Sequence, residues 1–485
     1  MIIPAALGFV QGEYETARIF LYQGLLVVIF AGFLSIATFR TTQNVSIRRD
    51  ILEISSIFLL LPVILAFPFY TVIDEFSFID AYFEALSCLT TTGLSLIPEG
   101  LVVPWSVDLW RGFIAWMGGL TIWIVASALI KHFGLGLLGQ LSQANREGGT
   151  AFNFGFKLEE ETPLLQRVLP IIRVYFSVSI LTWGVLYFFE GNLLQSAMLA
   201  MATISTSGVI LSHSMAPISV WSEIILAIFL LFALSRMFMM LTEVRINLKG
   251  ILHDAEMRLA GLILFIFLVL SLIHDWSGLI TTYNNEGVIE VILIAWGKFF
   301  TFLSFLTTSG LESYYWIGPS NEELSSFTLM TLCILVFIGG GIGTNAGGIK
   351  LWRLRMFLKQ IGDDVHRMLF PSVVTALATQ NLSRSKSGWE DTWVIFFFLN
   401  MILVLLVLIL SLDGYNLQQG MTLALAAVST TGPLIHSVLD SFNQSLNQLS
   451  DFSKIALLIA MVLGRLEVVL IFFLLSPSFF SRFEN

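Results

Sequence analysis

Four short stretches of this sequence carry the residue types that could hold a bare ion. They read CLTTTGL (88–94), TISTSGV (203–209), FLTTSGL (305–311) and VSTTGPL (428–434). Each gathers hydroxyls around one glycine, and none contains a charge. Hydroxyls and backbone carbonyls are neutral oxygen ligands of the kind that replace a monovalent cation's hydration shell. Glycine opens backbone angles closed to other residues, so carbonyls can turn toward a shared axis. A dedicated Ca²⁺ or Mg²⁺ site would draw on carboxylates, so a monovalent ion is expected. One copy alone would read as small residues serving helix packing. Four copies in register, centred on Gly93, Gly208, Gly310 and Gly432, favour the ion-binding reading.

The elements that must position these loops are membrane helices. Of the 485 residues, 56% are hydrophobic and 12% are charged, about half the charge of a soluble domain. That composition excludes an ordinary soluble enzyme, a disordered chain and a nucleic-acid binder. A bilayer core of about 30 Å needs about 20 apolar residues per helix. Apolar runs of that order cover 19–38, 54–72, 110–130, 170–189, 222–241, 259–274, 325–338 running on to about 357, 392–411 and 455–475. Shorter apolar segments at 80–92, 193–206, 289–306 and 417–429 each lead into a glycine. Half-length helices are tolerated at membrane depth only within protein or beside water. Their C-terminal, partially negative ends would point toward the centre and favour a cation.

The expected fold is therefore an all-α polytopic membrane protein. Four pseudo-symmetric units of helix, pore helix, filter loop and helix surround one pore, and an N-terminal extra helix stands apart. The expected divisions are 1–45 for the extra region and 46–135, 160–245, 255–360 and 388–485 for the repeats. Lysine and arginine concentrate in the segments before 54, between 131 and 170, between 242 and 259, and between 353 and 391. By the positive-inside rule those segments are cytoplasmic. The opposite segments carry Asp74, Glu75, Asp80, Glu99, Asp108, Glu286, Glu312, Glu322, Glu323 and Asp413, an acidic mouth that would concentrate cations.

With these features the chain resembles the Trk/Ktr/HKT superfamily of potassium transporters, and within it the Trk-type membrane subunit. The resemblance runs over nearly the whole chain. It rests on the four repeats, on RGFIAWMGGLTIWIVASAL (111–129), on GGGIGTNAGGIK (339–350) and on GRLEVVLIFFLLSPSFF (464–480). It implies filter residues at Thr91, Thr92 and Gly93; at Thr206, Ser207 and Gly208; at Thr308, Ser309 and Gly310; and at Thr430, Thr431 and Gly432. K⁺ is the implied substrate, bound at those residues. The complete glycine set favours it over Na⁺, although Na⁺ permeation and Na⁺- or H⁺-coupled symport stay open. The resemblance also implies a bacterial inner-membrane homodimer with one pore per subunit. It implies a cytosolic ring of nucleotide-binding regulatory subunits, docking here on Arg40, Arg146, Lys157, Arg245, Arg355 and Lys359. No cofactor is expected on the chain, and no nucleic acid; membrane lipid is its surroundings. In the Trk branch two helices usually precede the first repeat. Residues 1–18 resemble only the end of the first and its outer loop, so a truncated start and a lost helix stay as alternatives.

Gly339, Gly340, Gly341, Gly343, Gly347 and Gly348 interrupt a span. Each glycine costs about 1 kcal/mol against alanine in a helix, so the helix is expected to break. The resemblance makes 339–350, with Thr344, Asn345 and the terminal Lys350, an intramembrane gate under the filter. Ile342 and Asn345 depart from the family's small-residue pattern there. A flexible packing hinge is the alternative. An arginine within a span is costly and usually faces a cavity or partner. The resemblance places Arg465 below the filter, as a charge that slows cations in the closed pore. The alternative is a snorkelling or structurally paired arginine, with Glu467 of another helix as partner. Arg236 is expected to snorkel. Lys298 is expected to form a structural salt bridge with Glu290, Glu312 or Asp413. Cys88 and Cys333 form no disulfide framework, and the histidines lack metal-ligand spacing. His213 and His436 follow two of the loops. No catalytic constellation stands out, so the chain is not read as an enzyme. A secondary transporter of an organic solute is the alternative of another class; it would need charged broken helices at the midplane.

Overall fold

A computed structural model describes residues 1–38, 47–98, 103–132, 164–211, 218–234, 254–276, 279–280, 287–316, 326–341, 344–370, 378–435, 446 and 449–465. Every long element among them is a helix. Two N-terminal helices, α1 (Ile2–Gln11) and α2 (Tyr14–Thr38), precede the repeats. The first repeat contains α3 (Ile47–Val72), α4 (Phe78–Leu89) and α5 (Trp105–His132). The second contains α6 (Leu164–Glu190), α7 (Leu193–Ser205) and α8 (Val220–Leu234). The third contains α9 (Ala255–His274), α10 (Val288–Leu306), α11 (Ser326–Ile338) and α12 (Leu351–Leu369). The fourth contains α13 (Ala378–Leu412), α14 (Leu417–Val428) and α15 (Asp451–Arg465).

The short helices α4, α7, α10 and α14 are the expected half-spans. Three begin at polar caps, which satisfy N–H groups that otherwise have no partner in the first turn. Ser77 and Asp80 form a reciprocal box on α4, and Asn416 and Gln419 do so on α14. Asn192 accepts from the amides of Leu194 and Gln195 on α7. The third half-span departs from its siblings. At 19 residues α10 is long and apolar enough to pass as a full span. Its second half is buried, and it ends at Leu306 immediately before the third hydroxyl–glycine loop, as its siblings do.

The packing is cyclic. Within each repeat the half-span touches the helices before and after it. Between repeats, α5 packs on α7, α8 on α10, α11 on α14, and α15 returns to α4. Each repeat thus lays its last transmembrane helix against the half-span of the next, and the fourth closes on the first. The burial pattern is inverted relative to a soluble protein. Phe188, Phe265, Phe397 and Leu412 are exposed, whereas the hydroxyls of Thr91, Thr206, Ser309 and Thr430 are buried. Lipid solvates the apolar outside, and backbone polar groups are satisfied within the helices. Glu13 ties α1–α2 to the bundle: its carboxylate accepts from the Trp105 amide at 2.9 Å and the Ser106 hydroxyl at 2.9 Å, at the start of α5.

Candidate functional site

The four loops share one backbone design. Thr91, Thr206, Thr308 and Thr430 adopt left-handed conformations with φ of 54°, 52°, 58° and 55°. A non-glycine residue there costs on the order of 1–3 kcal/mol and persists only when its surroundings impose it. The imposing bonds repeat in all four. Thr92, Ser207, Ser309 and Thr431 donate their amides to Ser87, Ala202, Ser304 and Ala426 carbonyls at 2.8, 3.0, 2.9 and 2.9 Å. One step earlier, Thr90, Ser205, Thr307 and Ser429 donate hydroxyls to the carbonyls of Leu86, Met201, Leu303 and Leu425. Side chain and backbone together turn the chain out of each half-span at the same residue.

The loops meet in a ring. A Cβ added to Gly93 would overlap the Ser207 carbonyl, one on Gly208 the Ser309 carbonyl, one on Gly310 the Pro433 ring, and one on Gly432 the Leu94 amide. Loop 1 therefore abuts loop 2, loop 2 abuts loop 3, loop 3 abuts loop 4, and loop 4 abuts loop 1. The last contact carries a hydrogen bond from the Gly432 amide to the Thr92 carbonyl at 2.5 Å. Loop 4 differs from the others: Gly432–Ile435 form a 3₁₀ turn, and Gly432 is absent from the positive-φ glycines that include Gly93, Gly208 and Gly310. The hydroxyls of Thr91, Thr206, Ser309 and Thr430 are buried and find no hydrogen-bond partner among the described residues. Uncharged oxygens left unpaired in a protein interior are costly. Gathered from four loops into one ring, they suit a cation stripped of water.

The expected helix break is present. The chain leaves α11 at Ile338 and returns to it: the amides of Ile349 and Lys350 donate to the carbonyls of Phe337 and Ile338 at 3.0 and 2.8 Å. The neck requires glycine, because a Cβ on Gly339 would overlap the Gly347 carbonyl and one on Gly348 would crowd Gly339. The tip of this excursion lies against the ring where the half-spans end. The Gly347 amide donates to the Thr308 hydroxyl at 2.8 Å, and the Asn345 amide group to the Ile204 carbonyl at 3.0 Å. Gly347 also abuts Ser429 and Thr430, and Asn345 approaches Gly119 of α5. Thr344 closes a turn on the Gly341 carbonyl at 2.7 Å, and Lys350 ends the segment at φ 77°. Gly340 and Gly341 line its start, and a Cβ on Gly341 would overlap the Leu234 carbonyl. Gly343 lies outside the described residues. Arg465 donates a guanidinium N–H to the Asn345 carbonyl. Its helix reaches that level because Gly464 lets α15 pass against the Val428 carbonyl.

The other charges sort differently from expectation. Lys298 does form a salt bridge, but with Asp275 in the turn after α9, and it also donates to the Ser271 hydroxyl. Neither Glu290, Glu312 nor Asp413 is its partner. Arg111 is buried behind loop 1, with its Nε 2.7 Å from Glu84. Of the acidic residues expected at the mouth, Glu99, Glu286, Glu322 and Glu323 lie outside the described residues, and two others are paired. Asp108 lies 3.5 Å from Arg111, and Asp80 pairs with Lys454 at 2.6 Å, while Asp74 and Glu75 are exposed. Burial pushes the Asp413 carboxyl up, but hydrogen bonds from the Ser450 amide and hydroxyl, at 3.0 and 2.9 Å, with Ser453 close by, outweigh it and hold the group below the usual range. Glu84 is a site residue that the loop motifs do not mark. Counting back nine residues from each loop glycine gives Glu84, Leu199, Thr301 and Leu423, so no shared residue type marks the position. His213, Arg236, His436, Glu467 and the loop cations Arg40, Arg146, Lys157 and Arg245 lie outside the described residues, as does 466–485.

A ring of four similar loops, each delivered by a half-span within a bundle of apolar helices, defines a multi-pass membrane protein. The profile of the TrkH family, described as a cation transport protein, matches residues 18–481, and the chain belongs to that family. An uncharacterized cation transporter of Methanocaldococcus jannaschii is 26% identical over 484 residues, covering 99% of this chain and 92% of the relative. The Trk system potassium uptake protein TrkG of Escherichia coli is 26% identical over 478 residues, covering 96% and 93%. The crystal structure of the potassium transporter TrkH from Vibrio parahaemolyticus superposes with a TM-score of 0.74 at 20% identity, covering 99% of this chain and 95% of that one. The chain is thus a cation transporter by family and not an enzyme, and the organic-solute reading falls away.

Proposed function

We propose that this chain is the ion-conducting subunit of a K⁺ uptake system in a bacterial inner membrane. The observation that carries the reading is the set of buried, unpartnered hydroxyls on Thr91, Thr206, Ser309 and Thr430 within the closed loop ring. Ions enter past the exposed Asp74 and Glu75 and shed water at the ring. There the oxygens of Thr91, Thr92, Thr206, Ser207, Thr308, Ser309, Thr430 and Thr431 substitute for the hydration shell, so entry costs little and no charge holds the ion permanently. Relatives whose names specify potassium uptake support K⁺ as the ion.

Segment 339–350 is the gate. It touches the ring from below at Thr308, and Arg465 holds its tip through the Asn345 carbonyl. Opening withdraws the tip and with it the positive guanidinium. A cytosolic nucleotide-binding ring docked on the basic inner segments, Arg355 and Lys359 among them, drives that movement, and two copies of the chain form a homodimer with one pore each. The exposed apolar faces of α2, α6 and α13 meet lipid.

The test is uptake in K⁺-transport-deficient cells, followed by rubidium-tracer flux into liposomes that contain the purified chain. Rescue of growth at low K⁺, with tracer uptake blocked by excess K⁺, is the expected result. A well-expressed protein that moves Na⁺ in preference to Rb⁺ would replace K⁺ with Na⁺ as the substrate.

A further inference from the structure

Two loops of the ring are held from behind by side chains of their own half-spans. Loops 1 and 3 are pinned to their own half-spans beyond the glycine. Six residues before the glycine, Ser87 donates its hydroxyl to the Leu94 carbonyl at 2.6 Å, and Ser304 accepts from the Leu311 amide at 2.5 Å. Nine residues before it, Glu84 accepts from the Leu96 amide and the Ser95 hydroxyl, each at 3.2 Å. Thr301 accepts from the Ser313 amide at 3.2 Å. The amides of Gly93 and Gly310 also point back at the Ser87 and Ser304 carbonyls, both at 3.3 Å. Loops 2 and 4 carry Ala202 and Ala426 at the first position and Leu199 and Leu423 at the second. These side chains cannot hydrogen-bond. The Gly432 amide turns instead to the neighbouring loop, at the Thr92 carbonyl.

The anchors behind the pinned loops are themselves fixed. Glu84 is fully buried and held by Arg111. A paired and hydrogen-bonded carboxylate is the form in which such a charge survives burial. Behind loop 3, the buried Glu223 of α8 accepts from the Trp296 indole at 3.0 Å and faces Ser313. In the ring order 1–2–3–4, the two pinned loops stand opposite each other.

We infer that Glu84, Ser87, Thr301 and Ser304 are positioning residues for ion selection, which fix the outer limbs of two opposed loops and set the width of the ring. The inference rests on the reading of the four loops as the cation filter. Limbs braced in this way keep the oxygens of loops 1 and 3 at a set distance. Loosening a brace lets the ring shrink around a smaller cation.

The test uses the full-length chain in liposomes and measures the ratio of rubidium to sodium tracer uptake. Ser87→Ala and Thr301→Val are expected to lower that ratio about tenfold, the factor that corresponds to losing one buried hydrogen bond, while total flux persists. Thr301→Ser keeps the hydroxyl and should restore the ratio. Thr422→Val removes a hydroxyl from half-span α14 that bonds only within its helix, and should leave the ratio unchanged. Glu84→Gln strips the charge from the Arg111 partner and is expected to lower the ratio as well; if that variant fails to fold, Ser87→Ala decides for loop 1. An unchanged ratio in both Ser87→Ala and Thr301→Val, with flux retained, overturns the inference. So does a Thr301→Ser variant as unselective as Thr301→Val. Absence of any cation flux in the unaltered chain would instead strike the filter reading itself.

Discussion

Gly93 illustrates how much one residue decides. Its φ of 73° is open to glycine, and an added Cβ would overlap the Ser207 carbonyl. The left-handed conformation alone costs a side chain about 1–2 kcal/mol, and the overlap must be relieved by parting loops 1 and 2. Gly93→Ala should therefore lower the preference for Rb⁺ over Na⁺ by roughly tenfold, as sodium-tracer uptake would report. A selectivity equal to the parent's would remove loop 1 from the ion path. Gly432 faces only half of this constraint: its Cβ would meet Leu94, but its φ is not positive, so strain comes from crowding alone. The hydroxyl–glycine loops were legible in the sequence because their chemistry repeats in register. Glu84 was not, because its siblings at the same position are Leu199, Thr301 and Leu423, and no shared residue type marks the site. Lys298 shows the same limit. Its partner Asp275 sits in a turn, and only the packing of α9 against α10 brings the two together.

At the scale of elements, the broken third-repeat helix was legible as a break, since six glycines cannot be reconciled with a regular span. Its return path was not. The excursion closes on itself through bonds from Ile349 and Lys350 to Phe337 and Ile338, so α11 and α12 meet at a closed neck while the tip reaches the ring. What holds the tip is a small number of bonds: Gly347 to Thr308, Asn345 to Ile204, and Arg465 to the Asn345 carbonyl. The last is charge-assisted and belongs to the stronger class. Arg465→Ala should raise rubidium-tracer influx about tenfold, the equivalent of one such bond. Asn345→Ala removes only the contact to Ile204 and should raise it less. Equal influx in Arg465→Ala and the parent would take Arg465 out of the gate and leave the glycine excursion as a packing feature. The half-span α10 marks where length misleads: by apolar length it is a span, yet it ends inside the protein at the ring, and only its buried C-terminal half reveals this.

At the scale of the whole molecule, the ring has one joint that the covalent chain does not make. Repeats 1 to 2, 2 to 3 and 3 to 4 follow one another along the sequence, but repeat 4 must find repeat 1 through side chains and packing. Among the described residues, this joint includes α15 against α4, the Gly432 amide on the Thr92 carbonyl, and Lys454 on Asp80. The ion pair is the specific one. Its side chains are 9% and 15% exposed, so neither charge has ready access to water if the other is removed. Breaking one partner of a buried pair costs about 3–5 kcal/mol, whereas replacing both is often close to neutral. Discounted for the remaining exposure, Lys454→Met should cost about 2–3 kcal/mol. Asp80 also caps α4 with Ser77, so Asp80→Asn perturbs two elements at once. The double variant should therefore recover part of the Lys454→Met loss. Thermal unfolding of the purified chain in detergent gives the four corners of the cycle, and the coupling between the two positions is the quantity to read. A coupling near zero would mean that packing of α15 on α4 closes the ring without help from the charges. A large one would make Lys454 and Asp80 the clasp that turns a linear series of repeats into a pore.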